Sequence, residues 1–89
     1  MTINSHYSLR KLSDNAFLLE DNFQAVPKKL ISLNESSAYI WTLISKNEFT
    51  SIDDMVTDYA GHYQINIEEA WDDIRTTLEK WKSLDLIYV

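Results

Sequence analysis

Apolar and polar positions change rhythm near Asn34. Before it, apolar residues come in short alternating or continuous runs; after it, they recur at intervals of three and four. The first rhythm belongs to strands, the second to amphipathic helices. Tyr7–Leu12 alternates in part and reads as a strand. Ser13, Asp14 and Asn15 form a turn signal, and residues 16–20 make a second, more continuous apolar run. A loop opens at Asp21 and Asn22 and reaches Pro27. Residues 28–33 form a third strand, with Ile31 and Leu33 on one face and Lys28, Leu30 and Ser32 on the other. Short strands joined by short turns pair antiparallel.

The third strand runs almost directly into the first helix, expected over residues 35–45. Asn34 is placed to cap it by accepting a backbone N–H near Ser37; Ile40, Trp41, Leu43 and Ile44 give it a broad apolar face. A second helix is expected over 52–62. Ser51 and Asp54 resemble a capping box with a shortened acid, and Ile52, Met55, Val56, Tyr59 and Ala60 make the stripe to be buried. Gly61 marks where this helix ends or loosens. The third helix begins after Asn66, which pairs with Glu69 as a cap, with Ile65 and Ala70 as a hydrophobic staple. Ile67, Trp71, Ile74, Leu78 and Trp81 share one face over roughly four turns. Residues 84–89 are apolar and suit a short extended piece that packs back. Strands first and helices after predict an α+β fold: an N-terminal three-stranded antiparallel sheet followed by three helices, winged-helix-like, in one domain over residues 1–89.

Composition narrows the function. Eleven aromatics in 89 residues supply the core that a small domain needs. The absence of cysteine rules out a disulfide framework, a thiolate metal site and a cysteine nucleophile. The first residues lack the apolar segment of a signal peptide, and no apolar run approaches a membrane span, so a cytoplasmic location is expected. A net charge of −6 disfavours nucleic acid and anionic membranes as partners and favours a peptide or protein.

Candidate chemistry is thin. His6 and His62 have no convergent ligands around them and read as surface or structural residues. Of the acidic pairs Asp53-Asp54, Glu68-Glu69 and Asp72-Asp73, the first two fall in first helical turns, where negative charge suits the helix dipole. Ser36 and Ser37 also lie in a first turn, with no nucleophile elbow around them. A single glycine leaves no phosphate-binding loop. No catalytic residue, metal or cofactor is assigned. Trp71 and Trp81 read as core at helical spacing, with a partner groove as the alternative. Lys28 and Lys29 read as a solvated strand edge, or as a device that steers an acidic peptide.

Two helices joined by a short turn beside strands also describe a winged-helix DNA binder. The third helix opposes that reading: between Glu68 and Ser83 it carries five acids and three bases, and phosphates would be repelled. The order of features resembles instead the PqqD-like domains, the precursor-peptide recognition elements of ribosomal peptide modification. The matching stretches are Leu33-Asn34-Glu35-Ser36 followed by Ile40-Trp41, then Ser51 to Val56, then Tyr63 to Ala70, and finally Trp81 with Leu84, Leu86 and Ile87. They span about residues 7 to 88. Two departures stand out. Asp85 occupies a place where the family often has glycine. Gln24 to Pro27 stands where quinone-pathway members carry a Pro-Glu-Gly turn, which points away from that branch and toward the stand-alone leader-binding proteins of lasso-peptide systems.

The resemblance implies a non-catalytic module that binds the leader of a precursor peptide and presents it to a leader peptidase or other modifying enzyme. In the family the leader adds along the third strand, in the groove against the third helix. By position, the edge is Lys28, Lys29, Leu30, Ile31, Ser32 and Leu33. The groove wall draws on Ala70, Asp73, Ile74, Thr77, Leu78 and Trp81.

Overall fold

The computed structural model describes residues 1–20, 30–46 and 51–88. The fold is α+β. Strands β1 (Thr2–Ile3), β2 (Tyr7–Leu12), β3 (Asn15–Glu20) and β4 (Leu30–Leu33) precede helices α1 (Glu35–Lys46), α2 (Ile52–Tyr63) and α3 (Ile67–Ser83), and β5 (Ile87–Tyr88) follows. β2, β3 and β4 form an antiparallel sheet in that order. Leu9, Leu18 and Ile31 stand side by side across it. Leu18 is fully buried and its two neighbours pack on the core, so this row is the inner face. The β2–β3 connection is the two residues Ser13 and Asp14, since Leu12 pairs with Asn15. Ser13 alone of the two has a positive φ, 57°, as at the first position of a type II′ hairpin turn.

Each helix begins on the cap its sequence advertises. Asn34 Oδ1 accepts from the Ser37 N–H at 2.8 Å, Ser51 Oγ from the Asp54 N–H at 3.3 Å, and Asn66 Oδ1 from the Glu69 N–H at 2.8 Å. One apolar cluster gathers all three helices, the sheet and β5. α1 contributes Ile40, Trp41, Leu43 and Ile44, α2 Met55, Val56, Tyr59 and Ala60, and α3 Ala70, Ile74, Leu78 and Trp81. Ile52 and Ile67, expected on the buried stripes of α2 and α3, are exposed instead. Both are the first residues of their helices, where the stripe starts before the packing partner is reached.

The chain ends are tied together by a pairing that the hydrophobic pattern did not reveal. β1 and β5 form a two-stranded antiparallel ladder, Thr2 opposite Tyr88 and Ile3 opposite Ile87. Asn4, a buried polar residue, extends it. Its backbone N–H donates to the Leu86 carbonyl and its side-chain amide to the Asp85 carbonyl, both at 2.8 Å, while its Oδ1 accepts from the His6 N–H. Two-residue strands are too short to register as periodicity.

α3 stops in a Schellman motif. The Leu86 N–H bonds the Trp81 carbonyl at 2.9 Å and the Asp85 N–H the Lys82 carbonyl at 3.1 Å, with Leu86 and Trp81 both buried. Asp85 lies between them at φ 60°. That is the left-handed conformation which glycine adopts freely and aspartate only tolerates. The position therefore favours glycine for a backbone reason. At α2 the opposite holds. The sequence places the helix end near Gly61, yet α2 continues to Tyr63 and is closed by Gln64 at φ 54°. Tyr63 packs against Tyr39, Tyr59 and His62, which holds the last turn in place.

Two substitutions test this backbone reading. A Cβ on Gly61 would meet nothing within 4 Å, so Gly61→Ala should stabilise the fold by about 0.5–1 kcal/mol. Asp85→Gly should stabilise by about 1 kcal/mol by removing the side chain from a left-handed residue. Both are read from urea-denaturation midpoints at unchanged m-value. A fall in midpoint for Asp85→Gly would mean that the carboxylate holds the turn by an interaction that outweighs the backbone.

Candidate functional site

The order β2-β3-β4 makes β4 an edge strand. It pairs with β3 through Leu30 to Leu33, and among the described residues no strand pairs with its other side. Neighbouring residues of an antiparallel strand direct their N–H and C=O groups to opposite sides. Two of the four residues of β4 therefore aim backbone donors and acceptors away from the sheet. Ile31 and Leu33 are half-buried against the core, while Leu30 and Ser32 are exposed. Asn34 follows β4 directly and caps α1, so no loop separates the end of the strand from the helix. Lys28 and Lys29, the other two edge positions named from the sequence, lie outside the described residues.

The α3 positions divide sharply. Ala70, Ile74, Leu78 and Trp81 are core residues, and Ala70 and Ile74 have no exposed surface at all. Asp73 is exposed and Thr77 half-buried. These two stand four apart on one face of the helix, with Lys80 the next residue along the strip. Asp73 is held in place by the Tyr59 hydroxyl, which donates to its Oδ2 at 3.1 Å. Spacing alone assigns all six to one broad face; only packing against α2 and α1 separates the inner edge of that face from the outer.

A second feature was not singled out from the sequence. Tyr59, His62 and Tyr63, at spacings of three and four on α2, converge on Tyr39 of α1. Tyr39 and His62 stack at 4.0 Å between centroids and 14° between planes, and Tyr63 meets both edge-on. The Tyr39 hydroxyl donates to Asp58 Oδ1 at 2.5 Å. That hydrogen bond, with burial and the negative charge of Asp58 behind it, pushes the phenol up to about 12. Burial raises Tyr59 and Tyr63 as well, with Asp73 adding to the first and Glu35 to the second. Of these phenols, Tyr39 and Tyr59 act as hydrogen-bond donors, to Asp58 and Asp73. The cluster forms one wall of a cavity of about 580 Å³ at the tip of the β2–β3 hairpin, with Lys11, Asp14, Leu33 and Glu35 around it. The signal was present as a helical spacing of aromatics, but it resembled core.

Nucleophilic chemistry finds no support among the described residues. Ser36 Oγ donates to Asn34 Oδ1 and the Ser37 N–H to the same atom, so both serines serve the cap. His62 is engaged in stacking. No group of three histidine, cysteine or acidic residues is placed to hold a metal among the described residues. No described helix is long and apolar enough to cross a membrane. What the surface offers is an open strand edge beside a helix-anchored core, suited to a ligand in extended conformation.

No curated protein sequence is significantly similar to this chain. A solved structure, "TbiB1 in Complex with the TbiA(beta) Leader Peptide", matches it with a TM-score of 0.79, covering 100% of this chain and 99% of that one at 18% identity. At that identity the likeness is one of fold. The sequence model of PqqD, coenzyme PQQ synthesis protein D, matches residues 19–87. This span runs from the last two residues of β3 through β4 and the three helices into β5, and by it the chain belongs to the PqqD family.

Proposed function

We propose that this protein binds the leader segment of a ribosomally made precursor peptide by strand addition to β4, and presents it to a separate leader peptidase or modifying enzyme. The observation that carries the reading is the open edge of β4 in a PqqD-family chain. A disordered leader laid along Leu30–Leu33 gains backbone hydrogen bonds that any sequence can make. Selectivity then comes from side chains beside the edge. Of the six α3 positions named from the sequence, Asp73 and Thr77 are the accessible ones, while Ala70, Ile74, Leu78 and Trp81 support the wall from inside. Lys28 and Lys29 add positive charge next to the same edge in sequence. The fold likeness to a protein solved with its leader peptide supports the same reading, and lasso-peptide biosynthesis is the favoured pathway.

The role requires no catalytic group and no cofactor. Holding the leader raises the local concentration of the attached core peptide at whichever enzyme docks beside it. The reading includes action as a single unit over residues 1–89 and in the cytoplasm.

Fluorescence anisotropy with a labelled leader from the adjacent precursor gene tests it. Saturable binding in the low micromolar range or tighter is expected, and a scrambled leader should not compete. Ser32→Pro removes a backbone donor that β4 directs away from β3. Loss of one buried backbone bond should weaken binding by about fivefold to a hundredfold. A folded Ser32→Pro protein that binds leader like the unmodified one would overturn strand addition at β4. Hydrogen exchange gives a second readout that needs no variant: leader should slow exchange of the β4 amides, and unchanged β4 exchange at saturation would place the peptide elsewhere.

A further inference from the structure

We infer that the cavity at the tip of the β2–β3 hairpin is a second binding site, and that its ligand is a cationic side chain, an arginine guanidinium or a lysine ammonium, carried by a peptide or protein chain. None of its lining residues comes from α3, so it is distinct from the α3 wall assigned to the leader and meets the β4 edge only at Leu33.

Three observations converge on a cation. The first is shape and surface: about 580 Å³ of open space, walled on one side by the rings of Tyr39, His62 and Tyr63. Aromatic rings attract a cation through their quadrupole, and a guanidinium can also stack flat upon them. The second is charge. Asp14 and Glu35 both line the cavity, one on the hairpin turn and one in the first turn of α1. Among the described residues the ion pair is Arg75 with Asp72, and neither Asp14 nor Glu35 belongs to one. Glu35 makes its charge felt inside, where it helps hold the Tyr63 phenol protonated. The third is an orphan. The Tyr63 hydroxyl is buried and makes no hydrogen bond among the described groups. A guanidinium brings five N–H donors and no acceptor, which complements a wall of phenol and carboxylate oxygens.

Lys11 also lines the cavity and is the one feature that opposes a cation. It sits beside Ala16 and Leu33 on the same row of the sheet, and its side chain is exposed. It therefore acts as a competitor at the rim. Replacing it by a neutral residue should improve binding, a direction that no non-specific apolar pocket predicts.

The test uses the whole protein and small probes, so it does not depend on leader binding. N-acetyl-arginine methylamide is titrated into isotope-labelled protein, with N-acetyl-citrulline methylamide as the neutral probe of nearly equal shape. Arginine should shift the resonances of Leu33, Tyr39, His62 and Tyr63 in a saturable way, and citrulline should not. Glu35→Gln and Asp14→Asn should each weaken the arginine probe by about twofold to fivefold, and Lys11→Gln should tighten it by a similar factor. Equal shifts from both probes, shifts outside the cavity, or no saturable shift would each overturn the proposal. Leader anisotropy on the same sample reports separately on the β4 edge.

Discussion

The edge-to-face contact of Trp41 with Trp81 joins the two halves of this structure. Their rings meet at 5.3 Å between centroids and 83° between planes, an arrangement that sets the positive edge of one indole against the negative face of the other. Trp41 belongs to α1, which packs against β1, β3 and β4; Trp81 belongs to α3, which packs against α2 and β5. The helix that lies on the sheet and the helix that closes the fold are thus locked through two of the largest side chains in the chain, both almost fully buried. Trp81 is also the residue whose carbonyl accepts the Schellman bond from Leu86. The same residue fixes the end of α3 and the entry of β5, which in turn fixes β1.

Charge is distributed unevenly over that frame. The first 33 residues carry four of the eight basic residues and three of the fourteen acidic ones; the rest carries four bases and eleven acids. The acids of α2 and α3 cluster in first turns and on outward faces, where they stabilise helix N-termini. The strand region is close to neutral by comparison. Lys28 and Lys29 leave the sequence just before β4 positive, whereas nucleic acid approaching α3 meets a negative helix.

The parts of the fold that could be read from the sequence are those with a repeating signal or a local chemical one. The sheet hairpin, the three helices and their three caps follow from period and from the side chains of Asn34, Ser51 and Asn66. The β1–β5 ladder does not, because two residues carry no period and their partner lies at the other end of the chain. The Asn4 pin has the same origin: a buried asparagine near a terminus looks like any polar residue until Asp85 and Leu86 are brought beside it. The extension of α2 past Gly61 depends on the aromatic packing of Tyr63, a tertiary effect that overrides a local helix-weakening residue. On α3 the period identifies the broad apolar face correctly, but it cannot say that Asp73 and Thr77 are the accessible part of it while Ala70 and Ile74 are sealed.

Asp85 shows how backbone conformation and family resemblance can be linked by a physical cause. The sequence displays aspartate where the family resemblance leads one to expect glycine, and composition alone makes that a mere departure. The structure gives the position a left-handed φ and places it between the two bonds of a helix stop. Glycine is favoured there for its freedom, and aspartate is among the few residues that tolerate the same conformation. The Asn4 amide, bonded to the Asp85 carbonyl at 2.8 Å, holds the strained peptide unit from the opposite end of the chain. The departure is therefore absorbed without altering the turn. The chain reverses there, and Leu86 enters the core beside Trp81, from which β5 runs on to pair with β1.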